Sequence, residues 1–307
     1  MLPSDLVSIV VSYTVNFSKL ESLHELSECT KNLSWIDGLK ALVISGRRKD
    51  QKRFWKLSCS LGHLETCKWL HRHLQLSEDN VFDEIRKACR RGHLETVQWL
   101  IQTFTQIDYL YKDPDNIYLR IACYEGHLHV AQWLVTLLPV TTEKPSGHYA
   151  FLNACMGGHL HVAQWVSRTH VLDDEPRGSI YRAFQNTCRT GHLHVVKWLV
   201  TMGITDKDDR AWRNKAFIRA CENGHLNIAR WLVETFHFTE QDVTRNNNYA
   251  FRIACENDHL EVAQWITSQF GLSKENVRSA IRNVLPHWRI CQWLTNTFGL
   301  NYESAQD

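Results

Sequence analysis

The chain has 307 residues, 44% apolar and 22% charged, which excludes a disordered polymer. A formal net charge of +2 gives no bulk attraction to nucleic acid or to an anionic membrane. No stretch reaches the ~20 apolar residues that span a bilayer, and the N-terminus lacks the basic region of a secretory signal.

Residues 1–50 differ in pattern from the rest of the chain. In Leu2-Pro3-Ser4-Asp5-Leu6-Val7-Ser8-Ile9-Val10-Val11-Ser12-Tyr13 aliphatic residues recur at helical spacing. Leu26-Ser27-Glu28-Cys29 and Trp35 add a second apolar group. One reading is a helical cap over the apolar end of a stacked array. The same residues also resemble an F-box. That resemblance implies docking on the small adaptor of a cullin-type ubiquitin ligase, with the rest of the chain selecting the substrate. The run Arg47-Arg48-Lys49-Asp50-Gln51-Lys52-Arg53 reads as a solvated linker and helix start, with nuclear import or phosphate contact as the functional alternative. Asn16 and Asn32 open glycosylation triplets that read as chance without a signal peptide. On the same ground the ten cysteines are expected to be reduced, in an intracellular, cytoplasmic protein.

From residue 51 the chain repeats itself. Gly-His-Leu occurs at Gly62, Gly92, Gly126, Gly158, Gly191 and Gly224, then degenerates to Asp258-His259-Leu260 and Pro286-His287-Trp288. The eight histidines, His63, His93, His127, His159, His192, His225, His259 and His287, lie 30, 34, 32, 33, 33, 34 and 28 residues apart. A near-constant period over most of a chain indicates a stack of small units. Numbered from the repeat histidine, position +6 is Trp in all eight copies, Trp69, Trp99, Trp133, Trp165, Trp198, Trp231, Trp265 and Trp293. Position −4 is Cys in the first seven, from Cys59 to Cys255, and Asn283 in the eighth.

These offsets predict two helices per repeat. Apolar residues at −8, −5 and −4 form one stripe of the first, and Gly at −1 ends it, because glycine takes the left-handed conformation cheaply. The second begins near the histidine. In His127-Leu128-His129-Val130-Ala131-Gln132-Trp133-Leu134-Val135 apolar residues fall at +1, +3, +4, +6, +7 and +8, while +5 is polar in every copy. Position +5 is therefore expected to face water and the Trp column to be buried between neighbours, with some rings leaving an indole N–H near the surface.

The block A-x(3)-G-H-L-x-V-x-x-W-L, clearest in Ala122–Val130 and Ala220–Ile228, resembles the ankyrin repeat family over about residues 51–307. The resemblance implies an all-α, ankyrin-type helical-hairpin repeat solenoid of about eight stacked units behind an N-terminal helical cap. It also implies that the repeat histidine ties turns together through backbone hydrogen bonds. The family's Thr-Pro-Leu-His opening and Gly-Ala-Asp hairpin are absent, so short helical or coil connectors are expected; Thr239 with Asp242 fits a helix N-cap. This divergent style resembles arrays of giant viruses, protists and intracellular bacteria. A tetratricopeptide array fits less well, since its Trp belongs in the first helix.

Cys and His four residues apart could suggest zinc, but the glycine between them ends the helix, and neighbouring helices lie too far apart to complete a site. The Cys column reads instead as small buried hydrophobes. The phase of the Trp column argues against a nucleic-acid stacking surface. No P-loop, G-x-S-x-G, H-E-x-x-H or G-x-G-x-x-G pattern occurs, so neither catalysis nor a cofactor is implied. Asp173-Asp174 reads as a solvated turn. Recognition remains. The expectation is a monomeric, non-enzymatic scaffold that holds a protein partner on the concave face of the array, where side chains vary between repeats. The candidates are Arg86, Lys87, Arg90, Arg91, Arg120, Tyr124, Glu125, Arg189, Glu222, Asn223, Glu256 and Asn257. An acidic stretch of the partner is expected to meet Arg86, Lys87, Arg90 and Arg91.

Overall fold

A computed structural model describes residues 48–74, 81–104, 116–137, 146–169, 176–204, 210–281 and 287–300. The cap or F-box-like segment, apart from the helix start at Arg48, lies outside the described residues. Seventeen helices and no strand are found among the described residues. Sixteen pair into eight hairpins: α1 (Arg48–Leu61) with α2 (Leu64–Leu74), α3 (Val81–Arg91) with α4 (Leu94–Phe104), α5 (Ile117–Tyr124) with α6 (Leu128–Leu137), and α7 (Ser146–Met156) with α8 (Leu160–Thr169). Next come α9 (Pro176–Thr190) with α10 (Leu193–Thr201), and α11 (Arg210–Glu222) with α12 (Leu226–Thr235). After the short connector helix α13 (Glu240–Val243) come α14 (Arg245–Glu256) with α15 (Leu260–Phe270), and α16 (Lys274–Ile281) with α17 (Trp288–Phe298).

Two compact bodies emerge. One holds the residues up to Ala122 together with His129–Leu138, and the other holds Cys123–Leu128 and the residues from Pro139 onward. Within the first, α1 packs on α2 and α3, and α3 packs on α4. Within the second, the first helices of successive hairpins pack in series, α7 on α9, α9 on α11, α11 on α14 and α14 on α16. Each of α7, α9, α11 and α14 also packs on its own second helix.

The packing obeys the offsets. Phe217, Ala220 and Cys221 at −8, −5 and −4 are buried, as are Phe251, Ala254 and Cys255. Small side chains at −5 and −4 allow the first helices to approach, and the bulk at −8 fills the space beside them. On the second helix the buried stripe is +3, +4 and +7, as in Val195, Val196 and Leu199 or Ile228, Ala229 and Leu232. Position +5 is exposed in five repeats and half-exposed at Lys68, Gln98 and Gln164.

The Trp column departs from expectation. Only Trp265 is buried; the other seven rings are half-buried. They still join repeats: Trp198 meets Phe151, Trp265 meets Phe217 and Trp293 meets Phe251, with centroids 6.1, 6.4 and 6.4 Å apart. In each case the partner is the −8 Phe of the preceding repeat. Position +6 lies at the edge of the buried stripe, so the indole covers its neighbour with one part and meets water with the other.

In five repeats the turn between the two helices is a Schellman motif. In the second repeat the Gly92 N–H donates to the Cys89 carbonyl at 3.2 Å and the His93 N–H to the Ala88 carbonyl at 3.0 Å. The same pair recurs at Gly224 and His225, and at Asp258 and His259. Asp258 therefore occupies the glycine position with φ +60°, and its Oδ1 is buried with no hydrogen-bond partner among the described residues. Asp258→Gly is expected to raise stability by about 1 kcal/mol by removing the left-handed strain. An unchanged urea midpoint at unchanged slope would contradict this.

The described connectors contain no hairpin finger. Before α13 the Asp242 carboxylate accepts from the Thr239 N–H at 2.9 Å and from its hydroxyl at 2.8 Å. The same carboxylate pairs with Arg210 at 3.2 Å and so ties the connector to α11.

Candidate partner-binding face

The Schellman turns bring each repeat histidine against the repeat before it. The His192 ring lies where a Cβ on Gly158 would stand, 2.5 Å from that point at Nδ1. His93 meets Gly62, His159 meets Gly126, His225 meets Gly191 and His259 meets Gly224 in the same way. The other ring nitrogen reaches the carbonyl at −3 of the preceding repeat. The Nε2–H groups of His225, His259 and His287 donate to the carbonyls of Arg189, Glu222 and Glu256 at 2.9, 3.1 and 3.0 Å. His192 bonds the Met156 backbone in the same manner. This is the backbone-tying role expected of the column.

A second histidine escaped the sequence reading. At +2, His129, His161 and His194 donate to the carbonyls of Gly92, Gly126 and Gly158 at 2.8, 3.3 and 2.8 Å. Its signal was present as Gly-His-Leu-His in three consecutive repeats.

Packing sets the charge state of these rings. Burial first, then the neighbouring His161, His127 and His192, push the His159 pKa down against the opposing pull of Glu125. Burial and then His194 lower that of His192, and burial alone lowers that of His63. A histidine with a lowered folded pKa binds its proton more readily when unfolded, so the unfolded chain takes up more protons as pH falls. Their contribution to stability is fully present above the free imidazole value of about 6.5 and is lost as pH drops through the lowered folded values. The urea midpoint is expected to fall between pH 7 and pH 5. A profile flat down to the carboxylate range would assign acid sensitivity to other groups.

Pinning the −3 carbonyl leaves the −3 side chain as the variable element. In the first body, Arg90 and Arg91 end α3 exposed, and Arg91 Nη1 donates to the Ser60 carbonyl at 3.2 Å. Arg86 pairs with Asp83, and Lys87 pairs with Glu84 at 3.0 Å. Glu84 is wholly buried and burial raises its pKa, so Lys87 is committed to compensating a core carboxylate. Charge reversal there would disturb the fold as well as any partner. Arg120 is half-buried on α5.

In the second body the −3 and −2 positions carry Tyr124 and Glu125, Met156 and Gly157, Arg189 and Thr190, Glu222 and Asn223, and Glu256 and Asn257. Tyr124, Asn223, Glu256 and Asn257 are exposed, and Glu125, Met156, Arg189 and Glu222 are half-buried. Arg219 pairs with Glu222 at 2.7 Å and Arg252 with Glu256 at 3.6 Å. The Asn223 and Asn257 amides donate to the Arg219 and Ile253 carbonyls at 3.0 and 2.9 Å. The sequence offsets missed these intrahelical partners because they neutralise charge three or four residues away.

Family models described as ankyrin repeats match residues 58–101, 85–135 and 184–277. The chain belongs to the ankyrin repeat family. None of the curated proteins matches it. The ankyrin models pass over residues 136–183, yet Gly158 in that stretch receives His192 just as its counterparts receive theirs. In this ankyrin array the eight cysteines from Cys59 to Cys255 are buried, and burial raises the thiol pKa of the seven at position −4, to about 12 at Cys123. Among the described residues no three His, Cys, Asp or Glu side chains gather as metal ligands would. No described helix is long and apolar enough to cross a membrane.

Proposed function

We propose that this array is a non-enzymatic scaffold that holds a protein partner against the C-terminal ends of its first helices. The candidate positions are Arg86, Lys87, Arg90, Arg91 and Arg120 in one body and, separately, Tyr124, Glu125, Arg189, Glu222, Asn223, Glu256 and Asn257 in the other. One observation carries the reading. The repeated residues are consumed by the stack, His on the neighbour's carbonyl, Gly under the neighbour's ring and Cys in the core. The side chains that differ between repeats stand at the surface immediately beside those anchors. Such a division of labour suits a rigid frame that displays changeable contacts.

The test places a photo-crosslinking phenylalanine analogue singly at Arg90, Tyr124, Asn223 and Asn257, and as controls at the exposed +5 residues Gln132 and Gln264. Irradiation in extract of the native cells is expected to give discrete protein adducts from the first four positions and none from the controls. Equal adducts from both sets, or adducts from the controls alone, would refute this face.

A further inference from the structure

We infer that the second body reads a short peptide segment of its partner in which an apolar side chain lies about three residues from a carboxylate, the apolar group resting against Tyr124 and Met156 and the carboxylate on Arg189. This rests on the partner-binding reading of that face and names the chemistry it selects.

Three observations point there. First, Tyr124 is 41% exposed and, with Trp288, is one of two exposed large hydrophobics among the described residues. In the next repeat the −3 position is Met156, an adaptable thioether, and the −2 position is Gly157. A Cβ on Gly157 would lie 1.9 Å from the Tyr124 carbonyl oxygen, so the backbone there must stay bare. Where other repeats show Glu125, Thr190, Asn223 or Asn257 at −2, this one shows no side chain beside Met156.

Second, two acidic side chains along this column are already paired within their own helices. Glu222 is held by Arg219 and Glu256 by Arg252. Arg189 makes no ion pair among the described residues. Its carbonyl is fixed by His225, so its guanidinium extends from an anchored backbone. Arginine presents a planar fork that takes a carboxylate through two parallel hydrogen bonds.

Third, the order of these groups sets where the two anchors of the segment lie. Glu125 stands at the Tyr124 end and repels a carboxylate, while Arg189 lies two repeats further on and attracts one. Stacked helices lie about 8–10 Å apart. An extended chain advances about 3.3 Å per residue. The anchor over Met156 and the carboxylate at Arg189 are therefore about three residues apart, a pattern of apolar-x-x-acidic or, for a segment running the other way, acidic-x-x-apolar.

The test is selection of random twelve-residue peptides displayed on phage against the full-length chain and its variants Arg189→Glu and Tyr124→Ala/Met156→Ala. All three side chains reach the surface, and matching circular dichroism and thermal midpoints confirm folding. The wild type is expected to enrich an apolar residue and an Asp or Glu with two residues between them, in one fixed order. Arg189→Glu is expected to replace the acid by Lys or Arg, and to weaken a synthetic wild-type-selected peptide about ten-fold or more. The double variant is expected to lose the apolar preference. Enriched peptides indifferent to these substitutions would overturn the inference and leave the scaffold reading intact. So would an absence of enriched peptides on the wild type, since photo-crosslinking to a whole partner is independent of peptide selection.

Discussion

Replacing Gly158 by alanine is expected to cost about 3 kcal/mol of stability, from a left-handed backbone strain of about 1–2 kcal/mol and a displaced neighbour worth about as much again. The glycine has φ +79°, and its missing Cβ would fall 2.5–2.7 Å from three atoms of the His192 ring. The ring cannot yield without giving up its hold on the Met156 backbone. A double-mutant cycle separates the two contributions. In a His192→Ala background the alanine should cost only the backbone strain, so the coupling between the two sites should be about 1 kcal/mol or more. Strict additivity in urea unfolding would show that the imidazole does not depend on the bare glycine.

Phe217→Ala should cost about 3–5 kcal/mol, the range for removing a buried phenyl ring from a packed core. Phe217 is 1% exposed. It touches Trp265 of the next repeat and Phe238 of the connector, with centroids 6.4 and 5.3 Å apart. The cavity therefore weakens both the repeat and its junction. Because a stacked array is stabilised by unit and interface contributions, a damaged junction should split one cooperative transition into two. A single transition with unchanged midpoint, monitored by tryptophan fluorescence, would contradict both statements.

Much of this was legible because the array repeats. Eight aligned copies expose the phase of each position, so the helix pair, the turn at Gly-His and the burial of −8, −5 and −4 can be deduced from offsets alone. The ring at +6 was harder to place: a large side chain at the border of a stripe is neither inside nor outside, and periodicity does not resolve that edge. The +2 histidine reads as a polar surface residue until the neighbour's carbonyl is located. On the recognition face, sequence gives the positions that vary, but Lys87 and Glu222 are partly spoken for by Glu84 and Arg219, and such pairings depend on rotamers.

The cysteine column has one more consequence. Seven repeats carry a thiol at −4, sealed from solvent and held protonated by burial, while Cys291 in the last repeat is half-buried. An alkylating reagent can react with a sealed thiol only after its own repeat has opened. The native chain thus contains a set of stopwatches, at least one in each of the first seven hairpins. Timed labelling read by peptide mass would record the order in which the stack comes apart.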